Sequence, residues 1–246
     1  MSEGVYSYKV TSETSNNRTS TEKGRFVIGD ISGNKNTPKP KESECSAYYY
    51  DVNGVDVEMC EAITWATNEG IFGGYNDGSF KPYNVINRAE TLKVVIEAFK
   101  DNLVMLPSNG SNQGFLDLDP NGWYMTYVRT AKFYGMLHGY VDSTEARLGN
   151  TINRVEFLKF ALEAADAFTE YEIPGYEVTY YSDVEKLFPD NVWYFDYAGA
   201  AYTYGLYNTY YDAASHETYL RPGQDVQRGE VALVLYRMYL SGLLNK

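Results

Sequence analysis

Three arginines stand in matching positions of the sequence. Arg88, Arg154 and Arg228 lie in the strings INRAE, INRVE and VQRGE. Each string opens a run with apolar residues at helical spacing, so each arginine falls in the first turn of a predicted helix. That turn presents free backbone N–H groups and the positive end of the helix dipole, which both favour an anion. Because a guanidinium also forms paired hydrogen bonds with a carboxylate, the three arginines are predicted to bind anionic groups.

A structural role is the alternative for these arginines. Arg88 can instead pair with a nearby acid such as Asp77 and only fix the loop between them. The threefold recurrence does not decide between the two roles, since repeats preserve structural ion pairs as well as binding sites. Both interpretations stay open at this point.

The residues around the arginines predict how the helices begin. Asn87 is placed to accept a hydrogen bond from a free backbone N–H, and Glu90 to reach back, which is the pattern of a capping box. Asn153 and Glu156 repeat this pattern in the second string. In the third string Gln227 is a poor N-cap, so that helix start is predicted to be the weakest.

Residues suited to catalysis are not apparent. His138 and His216 are the two histidines, and they lie in separate predicted loops with no serine or cysteine motif around them. Two cysteines are too few for the common zinc patterns. We therefore predict no enzyme activity, no catalytic residue, no metal and no cofactor.

Charge and composition exclude several partners. The formal net charge is −12, from 33 acidic and 21 basic residues. Such a chain is unsuited to binding nucleic acid through a broad basic face or to docking on anionic lipid. No stretch approaches the roughly 20 apolar residues of a membrane-spanning helix. The first residues, MSEGVYSYKV, lack the pattern of a secretion leader, so we expect a leader to be absent from this chain.

The two cysteines allow two interpretations. Cys45 and Cys60 would close a loop of about 15 residues, and a disulfide there would contribute roughly 3 kcal/mol. A close, even pair suits an exported protein. The alternative is that Cys60, at helical spacing from Ile63, is a small buried apolar residue.

The chain repeats itself from about residue 46. Three stretches each show a helix ending at a glycine, then a loop, an Arg-x-Glu string and a second apolar helix; the glycines are Gly70, Gly135 and Gly205. One two-helix unit cannot bury its apolar stripe alone, so the three are predicted to form a mainly α, pseudo-threefold bundle. We call residues 45–110, 111–175 and 176–246 segments one, two and three.

Residues 1–44 differ from the three segments. VYSYKV (5–10) and RFVIGDI (25–31) alternate weakly enough to be short strands. They predict a hairpin, the end of an upstream β domain, or a disordered segment. NKNTPKPKESE (34–44) has two prolines and alternating charge, which favour an extended linker.

These strings together resemble the S-layer homology module, whose repeats carry an Asp-Val start, a Gly-Tyr-x-Asp-Gly-x-Phe-x-Pro loop and an Ile-Thr-Arg-Ala-Glu helix start. The corresponding starts are YDV (50–52), LDL (116–118) and SDV (182–184), and the loop is GYNDGSFKP (74–82). The resemblance covers about residues 46–240. It implies a non-catalytic, extracellular anchor, associated with the cell wall or S-layer, that binds secondary cell-wall polysaccharide, often pyruvylated, in grooves between neighbouring repeats. It implies other envelope proteins as further partners, and no nucleic acid or membrane insertion.

The resemblance also implies which residues touch the sugar. Arg88 would hold the carboxylate of a pyruvyl ketal beside the loop, and Asp77-Gly78 forms a tight turn at which glycine lets a sugar approach the backbone. Flat aromatic faces can cover a pyranose ring, although the two tryptophans can equally be core residues. The candidate contacts besides the arginines are Tyr75, Asp77, Gly78, Lys81, Trp123, Tyr140 and Trp193.

Departures from the family pattern rank the three sites. Segment two has lost the Asp-Gly-x-Phe-x-Pro part of its loop, and segment three has a longer loop and a weak cap. We therefore rank Arg88 first, Arg154 second and Arg228 third. In segment one Glu58 stands where the others have tryptophan. The alternative function is a structural or protein-partner scaffold of the cell envelope that has lost sugar binding.

Overall fold

The part of the chain that the structure describes is mainly helical. This computed structural model covers residues 4–13, 19–28, 48–139, 143–176, 180–184 and 192–246, the first two ranges as backbone only. The helices are α1 (Val57–Asn68), α2 (Arg88–Ala98), α3 (Met125–Phe133), α4 (Arg154–Phe168), α5 (Phe195–Thr203) and α6 (Arg228–Leu240), with a 3-10 turn at Lys100–Asn102. The strands are β1 (Gly4–Glu13), β2 (Thr19–Ile28), β3 (Tyr210–Asp212) and β4 (Glu217–Tyr219). Across these described ranges, no helix combines the length and the apolar character that crossing a membrane requires.

The N-terminal strands form an antiparallel hairpin. Its register runs from Gly4 opposite Ile28 to Glu13 opposite Thr19. Both strands are longer than the runs that predict them, at 5–10 and 25–31, because they extend into neighbouring serines and threonines, and threonine favours extended backbone. Residues 29–31 and the predicted linker at 34–44 lie outside the described residues.

Each segment contains the predicted pair of helices. The first helix of each pair is followed by Gly70, Gly135 or Gly205, whose φ angles are 67°, 74° and 60°. This left-handed conformation disfavours residues with a Cβ, so glycine ends the helix there. The second helix of each pair carries a stripe of buried apolar residues. These are Leu92, Val95, Ile96 and Phe99, then Phe157, Phe160, Ala161 and Ala164, then Val231, Val234, Leu235 and Met238.

Helices of different segments pack on one another. α2 packs against α3 and α4, α4 packs against α5, and α6 packs against α1. Isolated β-bridges join the backbone just before the second helices, pairing Asn87 with Thr151, Asn153 with Asp225, and Val85 with Gln227. Segment one is thereby bonded to segment two, segment two to segment three, and segment three to segment one.

An aspartate near the start of each segment fixes the loop before the second helix. Its two carboxylate oxygens accept hydrogen bonds from two consecutive backbone N–H groups, at 2.6–2.9 Å. The sets are Asp51 with Phe80 and Lys81, Asp117 with Ala146 and Arg147, and Asp183 with Leu220 and Arg221. The second loop residue of each set has a φ of 58°, 51° or 57°. Because such angles are uncommon for residues other than glycine, the carboxylate holds a backbone conformation that the loop would otherwise leave.

Alkaline pH is expected to destabilise this fold through its tyrosines. Burial, and then the hydrogen bond that its hydroxyl donates to Glu97 at 2.8 Å, raise the pKa of Tyr127 to about 12. A tyrosine whose pKa rises on folding stabilises fully below its unfolded pKa of about 10 and loses that contribution as the pH rises towards the folded value. The free energy of unfolding in urea should therefore fall between about pH 10 and 12. The fall should be shallower in Tyr127→Phe and unchanged in Tyr83→Phe, since Tyr83 is exposed; equal slopes in all three proteins would contradict this account.

Candidate functional site

The three helix-start arginines are buried. Arg88 and Arg228 are 6% exposed and Arg154 is 1% exposed. Each lies where the loop of another segment reaches the first turn of its helix. These three contacts are the places where the sequence predicts an anion site.

The first-turn N–H groups are already occupied. The backbone N–H of each arginine donates to a carbonyl oxygen of another segment, at 2.9–3.0 Å. The acceptors are Asn150 for Arg88, Gln224 for Arg154 and Asn84 for Arg228. The next N–H along each helix is also bonded across the segments. The expectation that free N–H groups await an anion is therefore wrong, because neighbouring loops cap these helices.

The capping residues complete the helix starts from within. Asn87 accepts a hydrogen bond from the Glu90 N–H at 2.8 Å, and Glu90 accepts one from the Asn87 N–H at 3.2 Å. Asn153 and Glu156 make the same two bonds, at 3.0 Å and 3.1 Å. The side chains and the neighbouring carbonyls together satisfy the first turns of α2 and α4.

Arg88 and Arg154 form ion pairs inside the protein. The Nη1 of Arg88 lies 3.5 Å from the Oε1 of Glu156. Arg154 pairs with Glu230 and also donates to the Tyr210 hydroxyl at 3.0 Å. The carboxylate of Glu230 raises the pKa of Arg154 against the effect of burial, which is the largest influence and lowers it. Both guanidinium groups are thus neutralised by acids of the following segment.

Arg228 is placed differently. Its Nε donates to the Phe80 carbonyl at 2.9 Å and its Nη2 to the Gly73 carbonyl at 3.2 Å. The guanidinium carbon lies 4.7–5.0 Å from the ring centres of Phe72, Tyr75 and Phe80. No carboxylate of the described residues lies within ion-pair distance of it, and burial lowers the pKa of Arg228.

This placement corrects the predicted partner of the GYNDGSFKP loop. Arg88, which follows the loop in the chain, donates to the Ala146 carbonyl of segment two. The arginine that contacts the loop is Arg228, which the sequence ranks last. Asp77, the acid suggested as a partner for Arg88, instead lies 3.4 Å from the Nζ of Lys81.

Two cations lie close to the aromatic ring of Tyr75 in this loop. The Nζ of Lys81 lies 4.1 Å from the ring centre, on a side chain that is 36% exposed, and Arg228 contacts the same ring. Tyr75 itself is 38% exposed. Gly78 has a φ of 81°, which explains glycine at the Asp77-Gly78 turn. Hydrogen bonds from the Ser79 hydroxyl and N–H hold the pKa of Asp77 below its usual value, so the turn keeps its negative charge.

The other predicted contacts fall elsewhere. Trp123 and Trp193 are 57% and 56% exposed, so they are surface residues rather than core. Tyr140 lies outside the described residues. Cys60 is buried and disulfide-bonded, and its predicted partner Cys45 also lies outside them. The described residues contain no group of three or more metal-ligating side chains arranged to hold an ion.

A cavity of about 270 Å³ lies beside Arg154. Its polar lining residues include Tyr210 and Asn208, which the sequence analysis did not single out. They belong to the longer loop of segment three, where β3 and β4 form a short hairpin. The loop length was visible in the sequence, but the hairpin and its side-chain directions were not. The full lining is Met59, Arg154, Tyr207, Asn208, Thr209, Tyr210, Gln227, Glu230, Leu233 and Val234.

Part of the chain is similar in sequence to known proteins. Residues 48–92 match the S-layer homology domain family. A cellulosome-anchoring protein of Acetivibrio thermocellus is 32% identical over 83 residues, which is 34% of this chain and 18% of that protein. A surface-layer 125 kDa protein of Lysinibacillus sphaericus is 24% identical over 193 residues, which is 78% of this chain and 15% of that protein. The chain thus spans less than a fifth of either curated relative. The matched range contains α1, the GYNDGSFKP loop and the start of α2, and residues 48–92 are therefore an S-layer homology domain.

Proposed function

We propose that this chain is a non-catalytic module that anchors a cell-surface protein to an anionic, pyruvylated secondary polysaccharide of the cell wall. The observation that carries the proposal is the S-layer homology match over the loop that contacts Arg228. The similarity to a cellulosome-anchoring protein and a surface-layer protein supports a location at the cell surface.

We also propose that the three segments form a pseudo-threefold bundle. The support is a pattern of contacts that occurs once per segment. It consists of the aspartate clamp, the hydrogen bond from the N-cap N–H to the glutamate three residues later, and the bond from the arginine side chain to a loop carbonyl of another segment. In such a bundle each candidate groove lies between two segments. The loop of each segment is contacted by the helix-start arginine of the segment before it in the ring. The loop of segment one is therefore contacted by Arg228 of segment three.

The contact with Arg228 is the candidate site for the negative charge of the ligand. Arg88 and Arg154 are already neutralised by Glu156 and Glu230. Arg228 has carbonyl and aromatic partners, and Lys81 adds a second, more exposed cation. Both side chains of the Lys81–Asp77 ion pair are exposed. Because exposed ion pairs contribute only about 0–1 kcal/mol to stability, a ligand carboxylate can compete with Asp77 for the lysine.

The cavity beside Arg154 is the candidate subsite for an uncharged part of the sugar. Arg154, the cation beside the cavity, is paired with Glu230. The lining combines apolar residues with the polar residues Tyr210 and Asn208. Such a mixed lining suits a partly apolar ligand held by a few hydrogen bonds.

Replacing Lys81 with glutamine is expected to weaken binding of the wall polysaccharide about 3- to 10-fold, equivalent to ~0.7–1.4 kcal/mol. The physical reason is the loss of one accessible cation without a change in the buried contacts. The measurement is calorimetric titration with a short pyruvylated wall disaccharide, together with sedimentation on purified cell walls. Affinity should fall as salt is added, because the contact is partly exposed.

The matched control is Lys93→Gln, which removes an exposed lysine from α2 and should leave the affinity unchanged. The same disaccharide without its pyruvyl group tests the charge of the ligand. Affinity that is insensitive to Lys81, to pyruvylation and to salt would refute the anionic site. If the native protein does not sediment with any wall preparation, the anchor is refuted and the scaffold alternative stands.

A further inference from the structure

The interface between α1 and α6 differs chemically from the other two interfaces between segments. At the position twelve residues before the glycine that follows the first helix, segments two and three have Trp123 and Trp193, whereas segment one has Glu58. The structure shows what this glutamate contacts. Its Oε1 and Oε2 accept hydrogen bonds from the Nε and Nη2 of Arg237, at 2.8 Å and 2.6 Å.

Arg237 is itself an exception in the matching position of α6. Nine residues after the helix-start arginine, α2 has Glu97 and α4 has Glu163, whereas α6 has Arg237. The two glutamates accept hydrogen bonds from tyrosine hydroxyls of the next segment, Tyr127 at 2.8 Å and Tyr197 at 2.9 Å. The α1–α6 interface therefore carries the acid on the opposite helix from the other two.

Arg237 is buried and fully engaged. It is 8% exposed, and besides Glu58 it donates to the Asn208 side chain at 2.6 Å and to the Leu206 carbonyl at 3.2 Å. A buried guanidinium that lost its carboxylate would keep an uncompensated charge, which is strongly unfavourable. The pair is therefore sensitive to which first helix occupies this position.

The α1–α6 interface joins helices that lie far apart in the sequence. The α2–α3 and α4–α5 connections are 26 residues long, whereas 159 residues separate the end of α1 from the start of α6. Contact between α1 and α6 closes a much longer loop, so it gains less from effective concentration. The contacts between these two helices must therefore contribute more to selecting the partner. An added aromatic contact supports this, since Trp65 of α1 stacks on Tyr239 of α6 at 5.3 Å.

We propose that Glu58 and Arg237 form a recognition pair that selects α6 as the partner of α1 and so closes the chain upon itself. If α1 docked on α2 or α4 instead, Glu58 would face Glu97 or Glu163, and like charges repel. If α3 or α5 docked on α6, Arg237 would face tryptophan and tyrosine without a carboxylate. The partner that fits this interface in trans is a second copy of the chain.

Two charge-reversed full-length chains test the proposal. Glu58→Arg places two cations in the interface, and Arg237→Glu places two anions there. Each variant alone should melt roughly 4–12 °C below the native chain, a range that allows for the partial exposure of Glu58. When the two variants are refolded together from urea in equal amounts, each α1 finds an opposite charge only on the α6 of the other chain. We expect a two-chain complex in light scattering after size exclusion.

The double variant, with both charges reversed in one chain, is the matched control. It should be monomeric and recover at least half of the decrease in melting temperature caused by Arg237→Glu. The opposite charges are restored, and only the Leu206 carbonyl and the Asn208 side-chain oxygen are left without the donors that Arg237 supplied. The mixing result decides the case even where a single variant does not fold alone. A mixture that yields only single chains or aggregate would overturn the proposal. The proposal would also fail if the melting temperature of the double variant fell by the sum of the decreases seen in the two single variants.

Discussion

Replacing Arg154 with alanine is expected to lower the free energy of unfolding by about 3–5 kcal/mol. The substitution leaves Glu230, whose side chain is 15% exposed, without its cation. It also removes the donors to the Leu220 carbonyl, at 2.7 Å, and to the Tyr210 hydroxyl. The half-buried Glu230 carboxylate would keep the hydrogen bond from the Gln227 N–H but lose its counter-charge, and the Leu220 carbonyl would lose its side-chain donor. An uncompensated charge and an unsatisfied carbonyl cost more than the loss of the contacts alone. Urea unfolding followed by circular dichroism measures the change.

Arg147→Ala is the control for this prediction. Arg147 pairs with Glu145, but both side chains are more than two-fifths exposed, and such pairs contribute about 0–1 kcal/mol. Equal effects of the two substitutions would show that the guanidinium of Arg154 is not a structural tie between segments two and three. If the Arg154→Ala protein were as stable as the native protein but no longer bound cell walls, the ligand-binding role that the sequence predicts for Arg154 would be supported instead.

Phe80→Ala is expected to destabilise the protein by about 3–5 kcal/mol. Phe80 is fully buried, and its ring lies 5.3 Å from the rings of Tyr49 and Phe72. The same ring covers the guanidinium of Arg228. Its removal would leave a cavity beneath the loop and expose a buried cation on one side. Thermal and urea unfolding should both show the loss.

The control for Phe80 is Phe133→Ala. Phe133 is 69% exposed and contacts the Tyr134 ring from the surface, so its removal should change stability by no more than about 0.5 kcal/mol. If Phe80→Ala also stayed within this limit, the loop would not depend on its aromatic packing. The site that joins Arg228, Tyr75 and Lys81 would then need another explanation for its order.

The helices of this protein were predictable because their signals are local. The glycine after α1, the asparagine before α2 and the spacing of Leu92, Val95 and Ile96 each act within a few residues. The two capping boxes follow from residues three positions apart. Such signals survive in a single sequence because they do not depend on which segment packs against which.

The partners of the arginines were not predictable in the same way. In the sequence Arg88 lies next to the GYNDGSFKP loop. In the structure the loop is contacted instead by Arg228, which lies near the other end of the chain. The local sequence does not tell which of the two arginines reaches the loop, because both lie in the first turn of a helix and their caps do not specify which segment packs beside them. The assignment depends on how the segments are arranged around each other, which is a property of the packed chain.

The role of Glu58, which occupies in segment one the position of Trp123 and Trp193 in the other segments, also depends on the packed chain. Substitution of tryptophan by Glu58 looked like the decay of a motif in one segment. In the structure the change is matched by Arg237 in a different segment. A departure from a repeat pattern is thus informative only together with the residue that it contacts, and that residue can be identified only once the fold is known.

The cross-segment contact of Arg228 has a practical consequence for engineering. A protein engineer who transplants residues 73–82 to give another scaffold the same loop would leave behind the guanidinium that supports it, 148 positions downstream of Phe80. The smallest transferable cassette is therefore discontinuous, and it has to carry the beginning of α6 along with the loop.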